Sequence, residues 1–310
     1  MSTPVPPTTE RHGPGIVYAV LAYVLWGFLP AFFLLLSPAG AVEIVAWRIV
    51  LSLVFCGILI AVTRGWGRFA ALVKDRRVLF TMAGAGALIL VNWLVYVYAA
   101  LSGQVVEASL GYFTNPIVTV LLGVFVLREK LRPLQWVAIG ISAIAVIVLA
   151  IGHGSFPWIA LVLAFSFGLY GLIKKRVGGR VDAVGGLTLE TLWLAPFASI
   201  ALVVMAMTTG LTMGTQGVGA TIAMLSAGVV TAIPLLLFAA AARRIPLTYL
   251  GLAQYLAPTL QFLYGVVLLH EAMPPGRLAG FALVWLALIV LTFDMFRAGR
   301  SPRRASLERP

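Results

Sequence analysis

The chain has 310 residues, 61% of them hydrophobic and only 10% charged, with a mean hydropathy of +1.04. A soluble domain carries roughly 25% charged residues, so no soluble fold could bury this much apolar surface, and lipid is the expected solvent. The net charge of +12 is spread over short basic clusters between apolar runs, a pattern that orients a membrane protein rather than one that binds nucleic acid. The single cysteine, Cys56, lies inside an apolar run, which excludes a disulfide, a CxxC pair and a zinc set.

In chain order, residues 1–14 are Pro/Thr-rich, with neither a basic n-region nor a small-residue cleavage site, and are expected to form a disordered cytoplasmic tail. Apolar runs long enough to span, about 20 residues each, then follow at 15–36, 41–63, 78–101, 106–127, 133–151, 156–173, 183–206, 218–242, 246–269 and 277–296. Short polar connections carrying Gly or Pro join them. With the N-terminus inside, all of the 22 Lys and Arg except Arg48 and Arg277 fall in cytoplasmic segments, as the positive-inside rule requires. Residues 297–310 form a basic cytoplasmic tail expected near anionic lipid. The expected fold is an all-α polytopic membrane protein with ten transmembrane helices.

The stretch Val105–Pro133 returns, disguised, as Leu247–Pro275: a shift of 142 residues lays Pro116 on Pro258, Leu127 on Leu269, Glu129 on Glu271 and Pro133 on Pro275. This internal duplication divides the chain into repeats at 15–151 and 156–296. Five spans per repeat make the second copy enter from the opposite face, so the two five-helix repeats are inverted. That arrangement suits alternating access around a central site, often built on interrupted helices. Pro116 and Pro258 are the expected helix breaks.

Two charges lie deep within spans. Arg48 sits about two turns into the second, and the 142-residue shift places it on Glu190 in the seventh. An intramembrane charge costs a few kcal/mol or more unless paired or solvated. The two residues read either as a structural ion pair or as a substrate and proton site, with Glu190 the proton-coupling candidate. Asn92, Trp93 and Tyr96 cluster on the third span, and Ser109, Tyr112, Asn115 and Thr119 share one face of the fourth. Gln254, Pro258 and Gln261 share a face of the ninth, with Tyr255 and Thr259 beside them. Such groups either bond neighbouring helices or line a cavity. The small-residue run Met82–Ala87 marks close helix packing. Glu107 suits the dipole at a helix start, Glu129 and Glu271 sit at interfaces near basic residues, and Asp294 can pair with Arg297.

These segments resemble the drug/metabolite transporter superfamily, EamA type, and are most similar to its RarD branch, labelled chloramphenicol-sensitive permeases. The resemblance rests on EIVAWRIVLSLVF, NWLVYVYA, EASLGYFTNPIVTVLLG, LAFSFGLYGL, LETLWLAP and LAQYLAPTLQFL and runs from about residue 15 to 296. It implies two EamA repeats and a multi-pass permease of a bacterial-type inner membrane, carrying small metabolites such as amino acids. It maps Arg48, Asn92, Trp93, Tyr112, Asn115, Glu190, Gln254 and Tyr255 onto matching family positions. The chain departs from the pattern at Arg128-Glu129 and His270-Glu271, where such proteins more often show Gly-Glu.

No GxxxxGK[ST] sequence is present, so a solute or proton gradient is the expected energy source, and no cofactor or metal is implied. An intramembrane enzyme would need HExxH, paired aspartates or Ser-His at depth, which the spans lack. The expected function is a secondary-active exporter of small metabolites. A membrane assembly protein or lipid scramblase is the alternative. The expected partners are a small-molecule substrate, the lipid bilayer and protons, with the chain working as a monomer or homodimer.

Overall fold

The computed structural model describes residues 13–127, 132–152, 156–177, 180–242, 244 and 253–307, and all regular elements among them are helical. The first span is a bent pair, α1 (Gly13–Gly27) and α2 (Leu29–Leu35), meeting at 41°. Pro30 accounts for the bend: it lacks the N–H that would bond the Trp26 carbonyl four residues back. That carbonyl instead accepts from Gln261 Nε2 at 3.1 Å.

Next come α3 (Ala41–Val62), α4 (Trp66–Lys74) and α5 (Arg76–Leu101). Helix α4 was expected only as a polar connection. It buries no residue fully, turns Phe69 and Leu72 toward the bundle, and exposes Trp66 beside basic side chains, the pattern of a helix lying along an interface. Asp75 caps α5, accepting from the N–H groups of Arg77 (3.0 Å) and Val78 (3.2 Å), which satisfies donors that no helical carbonyl can reach.

Helix α6 (Val105–Leu127) runs unbroken through Pro116, correcting the expected break there. Neighbouring helices support a span that has lost one internal bond. After α7 (Pro133–Gly152) and α8 (Trp158–Val177) come α9 (Ala183–Thr208), capped by Asp182, and α10 (Gly217–Ala242). The described part of the expected ninth span differs from α6. Residues 246–252 lie outside the described residues, 254–255 form a turn, and α11 covers Leu256–Leu263. Pro258 therefore sits in the first turn of a helix, where its missing N–H has no helical partner to lose. One π-helical turn, Tyr264–Leu268, follows. The last helix, α12 (Pro275–Leu307), continues past the apolar span into the basic segment.

Among the described residues, five helices are individually long and apolar enough to cross a membrane: α3, α5, α9 and the apolar parts of α10 and α12. The bent α1–α2 pair makes a sixth. The chain is thus an all-α multi-pass membrane protein, and Val62, Met207 and Val218 are among the large apolar side chains its surface exposes.

Helix α3 packs on α9 and α10, α5 on α8 and α9, α6 on α8, α1 on α10 and α11, and α7 on α12. Small residues permit the closest crossings. A Cβ at Gly228 would lie 2.5 Å from the Leu51 backbone, and one at Gly111 would lie 2.7 Å from the Ala160 carbonyl. The Met82–Ala87 run packs by its Met82, Ala85 and Gly86 face, with the Glu190 carbonyl 3.3 Å from a Cβ placed at Gly86. Gly84 and Ala87 face outward.

Candidate functional site

Arg48 points into the protein and is 4% exposed. Its Nε donates to Thr231 Oγ1 on α10 at 3.0 Å, and that hydroxyl donates in turn to the Ala227 carbonyl at 2.7 Å. The guanidinium carbon lies 4.5 Å from the Trp93 ring centroid and 5.1 Å from that of Phe33, within the range of cation–π attraction. Its Nη1 has no hydrogen bond, nor does the hydroxyl of Tyr96, which is 3% exposed, nor that of Ser52, one turn along α3.

Around this centre the rings interlock edge to face: Phe33 with Tyr96 at 5.9 Å, Tyr96 with Tyr112 at 5.5 Å, and Tyr112 with Phe167 at 5.8 Å. Behind them is a closed polar chain. Tyr112 OH donates to Asn92 Oδ1 (3.0 Å), and Asn92 Nδ2 donates to the Leu163 carbonyl (3.2 Å) and Ser166 Oγ (3.1 Å). The structure therefore assembles five expected residues, Arg48, Asn92, Trp93, Tyr96 and Tyr112, and adds Phe33, Phe167 and Thr231. Asn115 is buried one turn further along α6, against Gly168 of α8.

Glu190 occupies a different place. Its Oε1 accepts from Lys174 Nζ at 2.8 Å and its Oε2 from Tyr170 OH at 3.2 Å, while the residue is 1% exposed. Glu190 and Arg48 are not an ion pair. Cys56 is the α3 side chain beside Thr188 and Glu190, and it lies eight residues beyond Arg48, about 12 Å along the helix. The sequence symmetry related the two charges, yet each enters its span from the opposite end, and they stop at different levels.

Tyr255 also stands apart. With Phe113, Phe262, Trp285 and Thr292 it lines a groove of about 550 Å³ beside α6, α11 and α12, which includes none of the side chains around Arg48. Gln254 is half-buried in the turn before α11. Gln261 contributes the bond to Trp26, a role that pairing Pro30 with a polar residue on a distant helix would have been needed to foresee.

At the far ends of the helices, carboxylates hold backbone amides. Glu43 Oε1 accepts from the N–H of Thr212 (2.8 Å) and Met213 (3.1 Å), and Glu107 from that of Ile159 (3.2 Å). Glu271 Oε1 and Oε2 accept from Val105 (2.7 Å) and Val106 (3.0 Å) at the start of α6. Burial pushes the Glu271 carboxyl upward and Glu107 adds to this, against the pull of the two amides and Arg277. Glu129 lies outside the described residues. Asp294, expected beside Arg297, forms an ion pair with Arg132 at 3.0 Å. Among the described residues no three His, Cys, Asp or Glu side chains gather as metal ligands do.

A family model, the EamA-like transporter family, matches residues 13–151. The protein RarD of Streptomyces exfoliatus is 48% identical over 93% of this chain and 91% of its own length. A transporter of Bacillus subtilis, YojE, is 40% identical over 93% and 97%, and a chloramphenicol-sensitive protein RarD of Pseudomonas aeruginosa is 30% identical over 95% and 99%. A solved crystal structure 20% identical in sequence superposes with a TM-score of 0.58, covering 92% of this chain and 98% of the other. That likeness is one of fold.

Proposed function

Given that this chain belongs to the EamA-like transporter family, within the drug/metabolite transporter superfamily and close to its RarD branch, we propose that it is a secondary-active exporter of small metabolites working by alternating access. Ten spans in two inverted five-helix repeats, 15–151 and 156–296, with both termini cytoplasmic in a bacterial-type inner membrane, form the frame of this reading. Amino acids and related amphipathic compounds are the candidate substrates. Drugs such as chloramphenicol are to be tested beside them, because a relative carries that sensitivity in its name.

Helix packing supports the repeats. The 142-residue shift carries α3 onto α9, α5 onto α10, α6 onto α11, α7 onto α12 and α1–α2 onto α8. Under that exchange the α3–α9 and α7–α12 pairs map onto themselves. Likewise, α5–α8 exchanges with α10–α1, α6–α8 with α11–α1, and α5–α9 with α10–α3. An interface conserved under exchange lets one rocking motion open either face.

The observation that carries the proposal is the Arg48 centre. It is a buried guanidinium walled by α2, α3, α5 and α6 of the first repeat and by α8 and α10 of the second, and transporters of this architecture keep substrate sites between repeats. Glu190 is the candidate for proton coupling. It is held by a half-buried lysine, whose release on opening would free the carboxylate to take a proton.

Purified protein in liposomes separates the readings. The exporter reading expects saturable exchange of a metabolite or drug, and it expects Glu190→Gln to keep exchange while losing the response to a pH gradient. Transport by Glu190→Gln that still follows the gradient removes the coupling role. Movement of a fluorescent lipid between leaflets without solute exchange would favour the scramblase alternative, and neither activity would favour an assembly role.

A further inference from the structure

We propose that the Arg48 centre binds an organic monocarboxylate with an apolar body, held by Arg48 Nη1 and the Tyr96 hydroxyl; this rests on the transporter reading for the site's purpose. Among the described residues, Arg48 is a charge without a counter-ion. Arginine keeps its proton in proteins, and a buried cation calls for an opposite charge or full hydrogen bonding. Among the described residues the ion pairs are Arg132–Asp294 and Lys174–Glu190, so none compensates Arg48. Its one hydrogen-bond partner is the neutral Thr231.

The unused groups define what is missing. Arg48 Nη1, Tyr96 OH and Ser52 Oγ are buried without a partner, and the first two are donors from adjoining helices, α3 and α5. A carboxylate presents two oxygens in one plane, matching a guanidinium N–H and a second donor. The guanidinium carbon lies over the Trp93 and Phe33 rings, so aromatic walls hold the cation while Nη1 stays unpaired.

The surroundings narrow the class further. One cation balances one negative charge, whereas a phosphate dianion would leave an uncompensated charge in a buried site. The remaining walls, Phe33, Trp93 and Phe167, suit an apolar body.

The test uses the full chain in detergent, with calorimetric titration of phenylacetate, indole-3-acetate and 4-methylpentanoate, each against its primary amide, which keeps the shape and removes the charge. At least one acid is expected to bind tenfold or more tighter than its amide. Arg48→Gln abolishes that difference and Arg48→Lys keeps part of it. Tyr96→Phe keeps the ring and loses only the hydroxyl, so it weakens the acid about three- to tenfold and leaves the amide unchanged. This variant carries the test if Arg48→Gln does not fold. Acids that bind no better than their amides overturn the proposal, as does an acid preference left undiminished in folded Arg48→Gln or Tyr96→Phe. Exchange measured in liposomes keeps the two ideas apart. Acid binding without any solute exchange rejects the transporter reading and leaves the anion site standing, while exchange of amides or amines with no preference for acids does the reverse.

Discussion

Lys174 Nζ lies 2.8 Å from Glu190 Oε1, reaching from the last turns of α8 over Gly186 to a carboxylate two turns inside α9. The pair joins two consecutive helices and is unequal in burial: the Glu190 side chain is 1% exposed and that of Lys174 29%. Lys174→Met is therefore expected to strand Glu190. Breaking a fully buried pair costs about 3–5 kcal/mol; the partial exposure of Lys174 lowers the expectation to about 2–3 kcal/mol. Thermal denaturation in detergent measures it, and Lys174→Met with Glu190→Gln should recover most of the loss. A double variant no better than the single one would show that the lysine acts only by packing.

Gly186 is the floor that lets the lysine pass. A Cβ there would lie 2.6 Å from Lys174 Nζ. Since the obstacle is the end of a flexible side chain, Gly186→Ala should displace the ammonium and reproduce the loss in Lys174→Met without unfolding the protein. In the Lys174→Met background it should add under about 0.5 kcal/mol, because both changes remove one interaction. Full additivity in this cycle would place the effect of Gly186 elsewhere.

The bend at Pro30 yields a second cycle. Gln261→Leu leaves the Trp26 carbonyl without its side-chain donor, which should cost about 1 kcal/mol for a part-buried acceptor. Pro30→Ala restores a backbone N–H that can bond that carbonyl, so the double variant should be more stable than Gln261→Leu alone, with a straighter first span. Equal stability of the two would mean that the freed carbonyl finds another donor.

Much of this was legible in the sequence, for reasons that differ by residue. Hydropathy marked the apolar helices because lipid leaves the backbone no other solution, and five of them, with the bent α1–α2 pair, are long and apolar enough to cross a membrane among the described residues. The polar residues of the third and fourth spans were identified as a group because helical spacing puts Asn92 and Tyr96, and Tyr112 and Asn115, on shared faces. The partner of Glu190 was missed because repeat symmetry pointed to Arg48, while hairpin geometry points to Lys174. Lys174 lies three residues before the end of α8 and Glu190 seven residues after the start of α9, an offset of four residues or about 6 Å, which a lysine side chain spans. Tyr255 precedes Pro258 by less than a turn, as Tyr112 precedes Pro116 by about one, but the 142-residue shift lays Tyr255 on Phe113, and both line the groove beside Trp285 and Thr292.

His270 occupies a left-handed backbone conformation, φ 53°, immediately before the carboxylate that holds the start of α6. Glycine enters this region freely, whereas other residues pay about 1 kcal/mol or more. His270→Gly should therefore be neutral or stabilising by up to about 1 kcal/mol in thermal denaturation. His270→Val should destabilise by more than that, because a β-branched side chain fits this conformation worst. A valine variant as stable as wild type would show that the turn relaxes to another conformation.

In the proposed alternating access the Arg48 centre is exposed to each side of the membrane in turn. Ser52 reports on it: it is fully buried, one turn along α3 from Arg48, and its hydroxyl has no partner. A Ser52→Cys, Cys56→Ser protein should be probed with a small impermeant thiol reagent in sealed right-side-out and inside-out vesicles. Alternating access predicts modification from both faces, each slowed when the protein is locked toward the other. Modification from one face only, or from neither, would contradict it.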